Sequence, residues 1–272
     1  AEDDGSFNTA LGYQALTDQT GVSGTVANTA IGYLAGTEIS TGLKNTMLGA
    51  YAGYQTLLVD NTVLLGYNAG GGVMTAAADG TVAVGFSALA ALTTGIGNVS
   101  VGYQCLDAEA TGDYSTAVGH QALSAQTGED GAVGNTAIGF QSGMAITLGR
   151  FSTAIGASAL RTEDVGDRTV AIGFESLYSQ NSDSNNETTG NTGIGYASGY
   201  YNVTGQNNTY LGYQSGKGAS GQSNSYNVGV GSNALLDITD GQRNTAIGQS
   251  AGANLTTAHR TVMIGDSAGA VS

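Results

Sequence analysis

The chain has 272 residues, with 45 glycines, no proline, no tryptophan, five phenylalanines and four methionines. No stretch could supply the leucine- and phenylalanine-rich cores that about two globular domains of this length would need, yet aliphatic residues recur too regularly for a disordered chain. The net charge of −14 disfavours nucleic acid and anionic membrane surfaces as partners, because both would repel an acidic surface.

A repeat runs through the whole sequence and becomes visible when the chain is aligned on one glycine. The aligned glycines are Gly12, Gly32, Gly49, Gly66, Gly85, Gly102, Gly119, Gly139, Gly156, Gly173, Gly195, Gly212, Gly231, Gly248 and Gly265. Nine of the fourteen intervals between them are 17 residues long, and the others are 19, 20 or 22. A period near 17 that covers the whole chain predicts a solenoid rather than a globular domain.

Each repeat predicts a short strand that ends at its glycine, as in Thr136-Ala137-Ile138 before Gly139. The third strand residue is always Leu, Ile or Val, and the first is always Thr or Val. Because side chains alternate along a strand, these two columns share one face, which we predict to be the buried face. The middle residue is mostly Ala, and we expect it to lie with the glycine on an opposite face that another backbone approaches closely.

The rest of the repeat predicts turns. An aromatic residue often follows the glycine, Thr-Gly pairs mark the return turn, and Asn often begins the motif, as at Asn135 and Asn208. We expect this Asn to adopt left-handed backbone geometry and to form side-chain hydrogen-bond ladders. Seventeen residues suit two short strands and two turns, which make one flattened coil. The fold class is therefore predicted to be all-β, a parallel β-solenoid of about fifteen coils.

The array is expected to occupy residues 1–272 as a single unit. The sequence opens and stops within a repeat, so we expect an uncapped segment of a longer chain. No signal peptide, membrane-spanning run or lipidation motif occurs in it, so direct membrane insertion is not expected. Thin coils leave apolar surface that a neighbouring copy would cover, which predicts a homo-oligomer.

Four runs carry a resemblance to a known family: NTAIGYLAG (28–36), STAVGHQAL (115–123), STAIGASAL (152–160) and TVAIGFESL (169–177). They resemble the head repeat of trimeric autotransporter adhesins and the similar repeats of phage tail-fibre-like proteins. The resemblance covers the whole chain. It implies a left-handed β-roll, a homotrimer, an extracellular, cell-surface or virion location, and attachment to a host surface. The sequence departs from the adhesin pattern in its longer coils and in having Thr where the adhesins favour Val. The longer coils and the Tyr-Gln-Ala-Leu run at 13–16 favour the fibre-like relatives.

Nothing in the repeat predicts an enzyme or a cofactor. His120 and His259 lie in distant repeats, and His120 takes the place of the usual aromatic residue. Cys105 stands in a column of small residues, which predicts a buried packing role. No nucleophile, base and orienting group are brought together by the periodicity.

One turn contains candidate metal ligands. The stretch RTEDVGDR places Glu163, Asp164 and Asp167 together, and oxygen ligands of this kind bind hard cations. Arg161 and Arg168 flank the three carboxylates, so a solvated, salt-bridged turn is the interpretation we prefer. No metal is therefore predicted.

Recognition is expected in the longer coils, at 17–28, 71–81, 124–135, 178–191 and 217–227, because loops on a rigid scaffold commonly carry binding sites. The candidate binding residues are Tyr178, Asn185, Asn186, Glu187 and Tyr226. Polar loops with tyrosine suit carbohydrate, although extra residues that merely relieve twist are an equal alternative.

The sequence thus predicts a non-catalytic extracellular fibre or adhesin segment that gives structural extension and attaches to a carbohydrate or cell-surface ligand. A self-assembling filament subunit is one alternative, and a monomeric ice-binding solenoid is another. The Thr column could order water, but Val replaces Thr freely there, which we interpret as a requirement of packing.

Overall fold

The computed structural model describes residues 5–20, 24–129, 131–185 and 187–269. Apart from one three-residue 3₁₀ helix, the described chain consists of short strands and turns. The predicted fold is confirmed, since the chain forms a parallel β-solenoid of about fifteen coils with the 17-residue spacing. The chain divides into two compact units, Ala1–Asn135 and Thr136–Ser272.

The elements of the first unit are β1 (Gly5–Ser6), β2 (Thr9–Leu11), β3 (Gly24–Thr25), β4 (Thr29–Ile31), β5 (Thr46–Leu48), β6 (Val63–Leu65), the 3₁₀ helix (Ala76–Ala78), β7 (Val82–Val84), β8 (Val99–Val101), β9 (Gly112–Asp113), β10 (Thr116–Val118) and β11 (Gly131–Ala132). The three-residue strands pair in parallel without any shift of register, so that Thr29 lies opposite Thr46 and Ile31 opposite Leu48. Each repeat column therefore becomes a straight ladder of side chains.

The elements of the second unit are β12 (Thr136–Ile138), β13 (Thr153–Ile155), β14 (Val170–Ile172), β15 (Thr192–Ile194), β16 (Thr209–Leu211), β17 (Val228–Val230), β18 (Thr245–Ile247) and β19 (Val262–Ile264). They pair in the same parallel register. The second unit therefore repeats the ladder arrangement of the first.

The prediction of two strands per coil is wrong, because only the motif strand is regular. After each motif glycine the backbone turns through two left-handed residues two positions apart, such as Gln14 and Leu16, each with φ of 52°. Successive residues in a strand cannot adopt this geometry. The turns still bond to their neighbours, for example from the Leu34 N–H to the Tyr13 carbonyl at 2.9 Å. Among the described residues of the first unit, only short pairs such as β9 with β11 form on the return side.

The prediction of which strand face is buried is also wrong. The middle strand residue points into the coil and is fully buried at Ala30, Met47 and Leu64, whereas the flanking Thr, Val, Leu and Ile residues point outward. A flattened coil has little interior space between its strand and its own turn. Ala fits there in most coils, and a larger middle residue is accommodated where the turn opposite it carries Gly.

Within one coil, a bulky side chain fills the interior either from the middle of the strand or from the turn opposite it, but not from both. Where the middle residue is large, the residue four positions after the motif glycine is Gly, as in the pairs Met47 with Gly53 and Tyr210 with Gly216. A Cβ at Gly216 would lie 2.2 Å from the Tyr210 ring, and one at Gly53 would lie 2.7 Å from the Met47 sulfur. Where the middle residue is Ala, that position can carry a buried Leu, as at Leu89.

The motif glycines allow the backbones of neighbouring coils to touch, which confirms the predicted close approach. Gly102 has φ of 145°, and a Cβ added there would lie 2.2 Å from the carbonyl oxygen of Gly119. The approaching backbone is that of the next coil. No other residue combines this conformation with this lack of volume.

The asparagines that begin the motif form buried ladders, as predicted. The Asn45 N–H donates to the Asn28 side-chain oxygen at 2.8 Å, while the Asn28 amide donates to the Gly42 carbonyl at 2.7 Å. The expected left-handed geometry falls instead on the residue before the asparagine, as at Ala27 and Lys44. The asparagine side chain thus binds the return segment of its own coil to the next coil.

Candidate interaction surface

The outward face of the motif strands is uncharged and open to solvent. In every repeat its two columns hold only Thr or Val and Leu, Ile or Val. Leu48 is 48 % exposed and Leu211 is 44 % exposed, although each is the last residue of a strand that pairs with a neighbour on both sides. Strands about 4.8 Å apart, with outward residues roughly 7 Å apart along each strand, make this face a flat and regular array. We call these two columns the outer strand face.

Rings stack beside the outer strand face in the first unit. Tyr67, Phe86 and Tyr103 follow their motif glycines, and their centroids lie 5.3 and 5.2 Å apart with nearly parallel planes. His120 continues the stack, 5.0 Å from Tyr103, which confirms that it substitutes for an aromatic residue of the repeat. Such stacking adds to the burial energy of each ring and fixes its orientation.

The second unit has two sets of stacked rings. Phe174, Tyr196 and Tyr213 form one set, with centroids 5.6 and 5.2 Å apart. Tyr178 and Tyr200 form the other set, with ring centroids 5.0 Å apart and nearly parallel ring planes. Each of these two tyrosines lies in the turn of its own coil, and the neighbouring coils do not extend this second stack.

The three candidate metal ligands do not form a cation site. Glu163 is fully buried, and its carboxylate accepts hydrogen bonds from the Gly166 N–H at 2.8 Å and the Ser182 hydroxyl at 3.0 Å. Asp167 accepts a bond from the Arg150 N–H at 2.8 Å. Among the described residues, no group of three or more His, Cys, Asp or Glu side chains could hold a metal ion. The Glu163 and Asp167 carboxylates hold turns in place.

Burial raises the pKa of Glu163 above its usual 4.5, and the bonds from Gly166 and Ser182 offset only part of that effect. Burial likewise raises the pKa of the Cys105 thiol, which lies inside its coil as predicted. A thiol with a raised pKa is a poor nucleophile.

Three of the candidate binding residues have identified side-chain partners. Tyr178 lies under the Arg161 guanidinium, which donates a 2.8 Å bond to its hydroxyl. Glu187 accepts a bond from the Gln206 amide, and Asn185 is exposed. Tyr226 belongs to a later coil, where Arg243 lies 5.1 Å from its ring centroid. Asn186 lies outside the described residues.

A small open pocket in the second unit was not predicted. It has a volume of about 180 Å³ and is lined by Glu175, Tyr196, Ala197, Tyr200, Tyr201, Gln214 and Lys217. The sequence signal that could have indicated it is the Tyr200-Tyr201 pair, next to the one alanine in a column that otherwise carries larger or more polar residues.

No protein-family model matches the sequence, and no curated protein and no solved structure is a match to it. Within the described part of the chain, no helix has the length and apolar character needed to cross a membrane.

Proposed function

We propose that the chain is a non-catalytic segment of an extracellular fibre, in which three copies pack along the outer strand face and the rigid solenoid attaches to a carbohydrate-bearing surface. The exposed outer strand face is the observation that carries this proposal. A contiguous uncharged surface with a column of exposed Leu, Ile and Val side chains is typical of an interaction site rather than of a monomer surface.

Charge favours a second and third copy of the same chain as the occupant of this face. Each chain carries a net charge of −14, so two copies repel one another wherever their turns meet. The outer strand face has no charged residue in any repeat, and it is therefore the surface on which copies can approach at the lowest electrostatic cost. Straight ladders of branched side chains also suit packing against an identical surface.

The test is the solution mass, measured by light scattering coupled to size-exclusion chromatography. We expect three times the 27.1 kDa mass of one chain. The double variant Leu211→Lys with Ile247→Lys places two charges on the outer strand face. The double variant Ser184→Lys with Ser220→Lys adds the same charge at exposed loop positions and is the matched control.

The proposal requires that the first variant falls to the mass of one chain with an unchanged circular dichroism spectrum, while the control remains a trimer. A wild-type protein that is a folded monomer would contradict the trimer. A mass that grows with concentration would instead support the self-assembling filament.

Ice binding is a second candidate function, and the orientation of the strands favours it. We had expected packing to explain the interchange of Thr and Val, but this column faces solvent, so interior packing does not explain it. A monomeric wild type would keep this face in water, and an assay of ice recrystallisation would then test it. A trimer buries the same face and excludes this alternative.

A further inference from the structure

The pocket in the second unit spans three consecutive coils. Glu175 comes from the first of these, Tyr200 from the next, and Gln214 from the third. Backbone hydrogen bonds fix the three coils to one another, from the Ala197 N–H to the Phe174 carbonyl at 2.9 Å and from the Gln214 N–H to the Tyr196 carbonyl at 2.8 Å. The pocket walls are therefore preformed by the scaffold.

Ala197 creates the space. It occupies the left-handed position two residues after the motif glycine, with φ of 49°, where the neighbouring coils place Glu175 and Gln214. The short side chain leaves a gap between these two longer ones, and Ala197 itself is only 3 % exposed at the floor of that gap. Tyr200 and Tyr201 form the aromatic wall, with their ring centroids 4.5 Å apart and their planes at 74°.

The polar groups around the gap are free to bind a ligand. Among the described residues, no hydrogen bond or ion pair engages the side chains of Glu175, Gln214 or Lys217. Burial, and then the neighbouring Glu175 carboxylate, raise the pKa of Tyr200 above its usual 10.0, so its hydroxyl remains protonated at neutral pH. One acceptor, one ammonium donor, one amide and a phenol thus surround the same small space.

The charges in the pocket select the class of ligand. The Glu175 carboxylate disfavours an anionic sugar, and the Lys217 ammonium disfavours a quaternary ammonium ion that the tyrosines could otherwise hold. A neutral ring with several hydroxyl groups satisfies both charges at once. The volume of about 180 Å³ is smaller than the pockets that hold drug-sized ligands and suits one sugar ring.

We propose that this pocket binds one neutral pyranose unit of a surface glycan. The apolar face of the ring packs on Tyr200 and Tyr201, and its hydroxyl groups bond to Glu175, Gln214 and Lys217. This inference rests on the proposed attachment function and gives it a ligand class and a location.

The test measures binding of methyl glycosides by saturation-transfer NMR and titration, with the methyl glycosides of glucose, galactose, mannose and N-acetylglucosamine as probes. At least one should bind with a Kd on the order of millimolar, as the few contacts imply. The variant Ala197→Gln fills the gap with the residue that the repeat carries at Gln104, Gln121 and Gln214. The variant Ser158→Gln makes a similar change in the same column outside the pocket and is the matched control.

Ala197→Gln should weaken binding at least about tenfold, and Ser158→Gln should not change it. Gln214→Ala, which removes the amide without filling the gap, should also weaken binding. Binding that survives Ala197→Gln, no binding by any neutral probe, or binding of methyl glucuronide or choline alone would each overturn the inference.

The solution mass of every variant separates this result from the fibre proposal. A trimeric wild type that binds no probe overturns the pocket and leaves the fibre intact. A monomer whose sugar binding is lost in Ala197→Gln supports the pocket and overturns the trimer.

Discussion

Replacing one motif glycine by alanine tests whether the coils stack through backbone contact. At Gly195, with φ of 133°, a Cβ would lie 2.4 Å from the Gly212 carbonyl oxygen. Gly265 has φ of 123° in the same column of the repeat, but a Cβ there would meet nothing within 4 Å. Alanine suffers a similar backbone penalty at both positions, about 1 kcal/mol. The overlap with the next coil occurs only at Gly195.

That overlap moves the two coils apart next to three backbone hydrogen bonds that join them, donated by the Thr192, Gly212 and Gln214 N–H groups, each at 2.8 Å. At about 1 kcal/mol for each weakened bond, Gly195→Ala should cost about 4 kcal/mol in total, against about 1 kcal/mol for Gly265→Ala. Thermal unfolding followed by circular dichroism should show Tm lowered by about 8–16 °C and by about 2–4 °C, respectively. Equal losses in the two variants would refute the backbone-contact argument.

Two further predictions concern buried polar groups. Tyr210→Phe removes a hydroxyl that donates to the Asn224 side chain inside the coil and should cost about 1–3 kcal/mol in chemical denaturation, whereas Tyr213→Phe, at an exposed ring, should be neutral; a neutral Tyr210→Phe would contradict this. Because the pKa of Glu163 is raised on folding, its contribution to stability is greatest below pH 4.5 and is lost as the pH rises through the raised value. Glu163→Gln should therefore gain stability relative to the wild type from pH 4.5 towards neutrality in urea unfolding, and a difference that is constant with pH would refute this.

The sequence predicted the parallel solenoid because the glycine interval sets the coil length and the stacking of identical columns. It could not decide which strand face lies inside, because alternation shows only that two columns share a face. The size of the Ile and Leu side chains favoured the wrong choice. The pairing of Met47 with Gly53 and of Tyr210 with Gly216 was present in the sequence and indicates directly which residues share the interior.

The candidate sites were less predictable. The exposed aromatic stack follows from one column of the repeat, so its members could be named in advance. The pocket depends on the absence of a side chain at Ala197 and on turns that bring Glu175 and Lys217 to the same gap. Neither feature is part of the average repeat, and a loop-length argument therefore selected Asn185 and Tyr226 instead.

The interior pairing of large and small residues restricts how the gene for this chain can change. Deletion or duplication of a whole coil would join coils that are not neighbours in the present chain. Gly199 accommodates the Leu177 side chain on one side and the Tyr210 ring on the other, at 2.5 and 3.1 Å from an added Cβ. Excising that coil would press Leu177 against Tyr210. The array is thus a set of coils with fixed neighbours, and its length can change only at junctions where the interiors remain compatible.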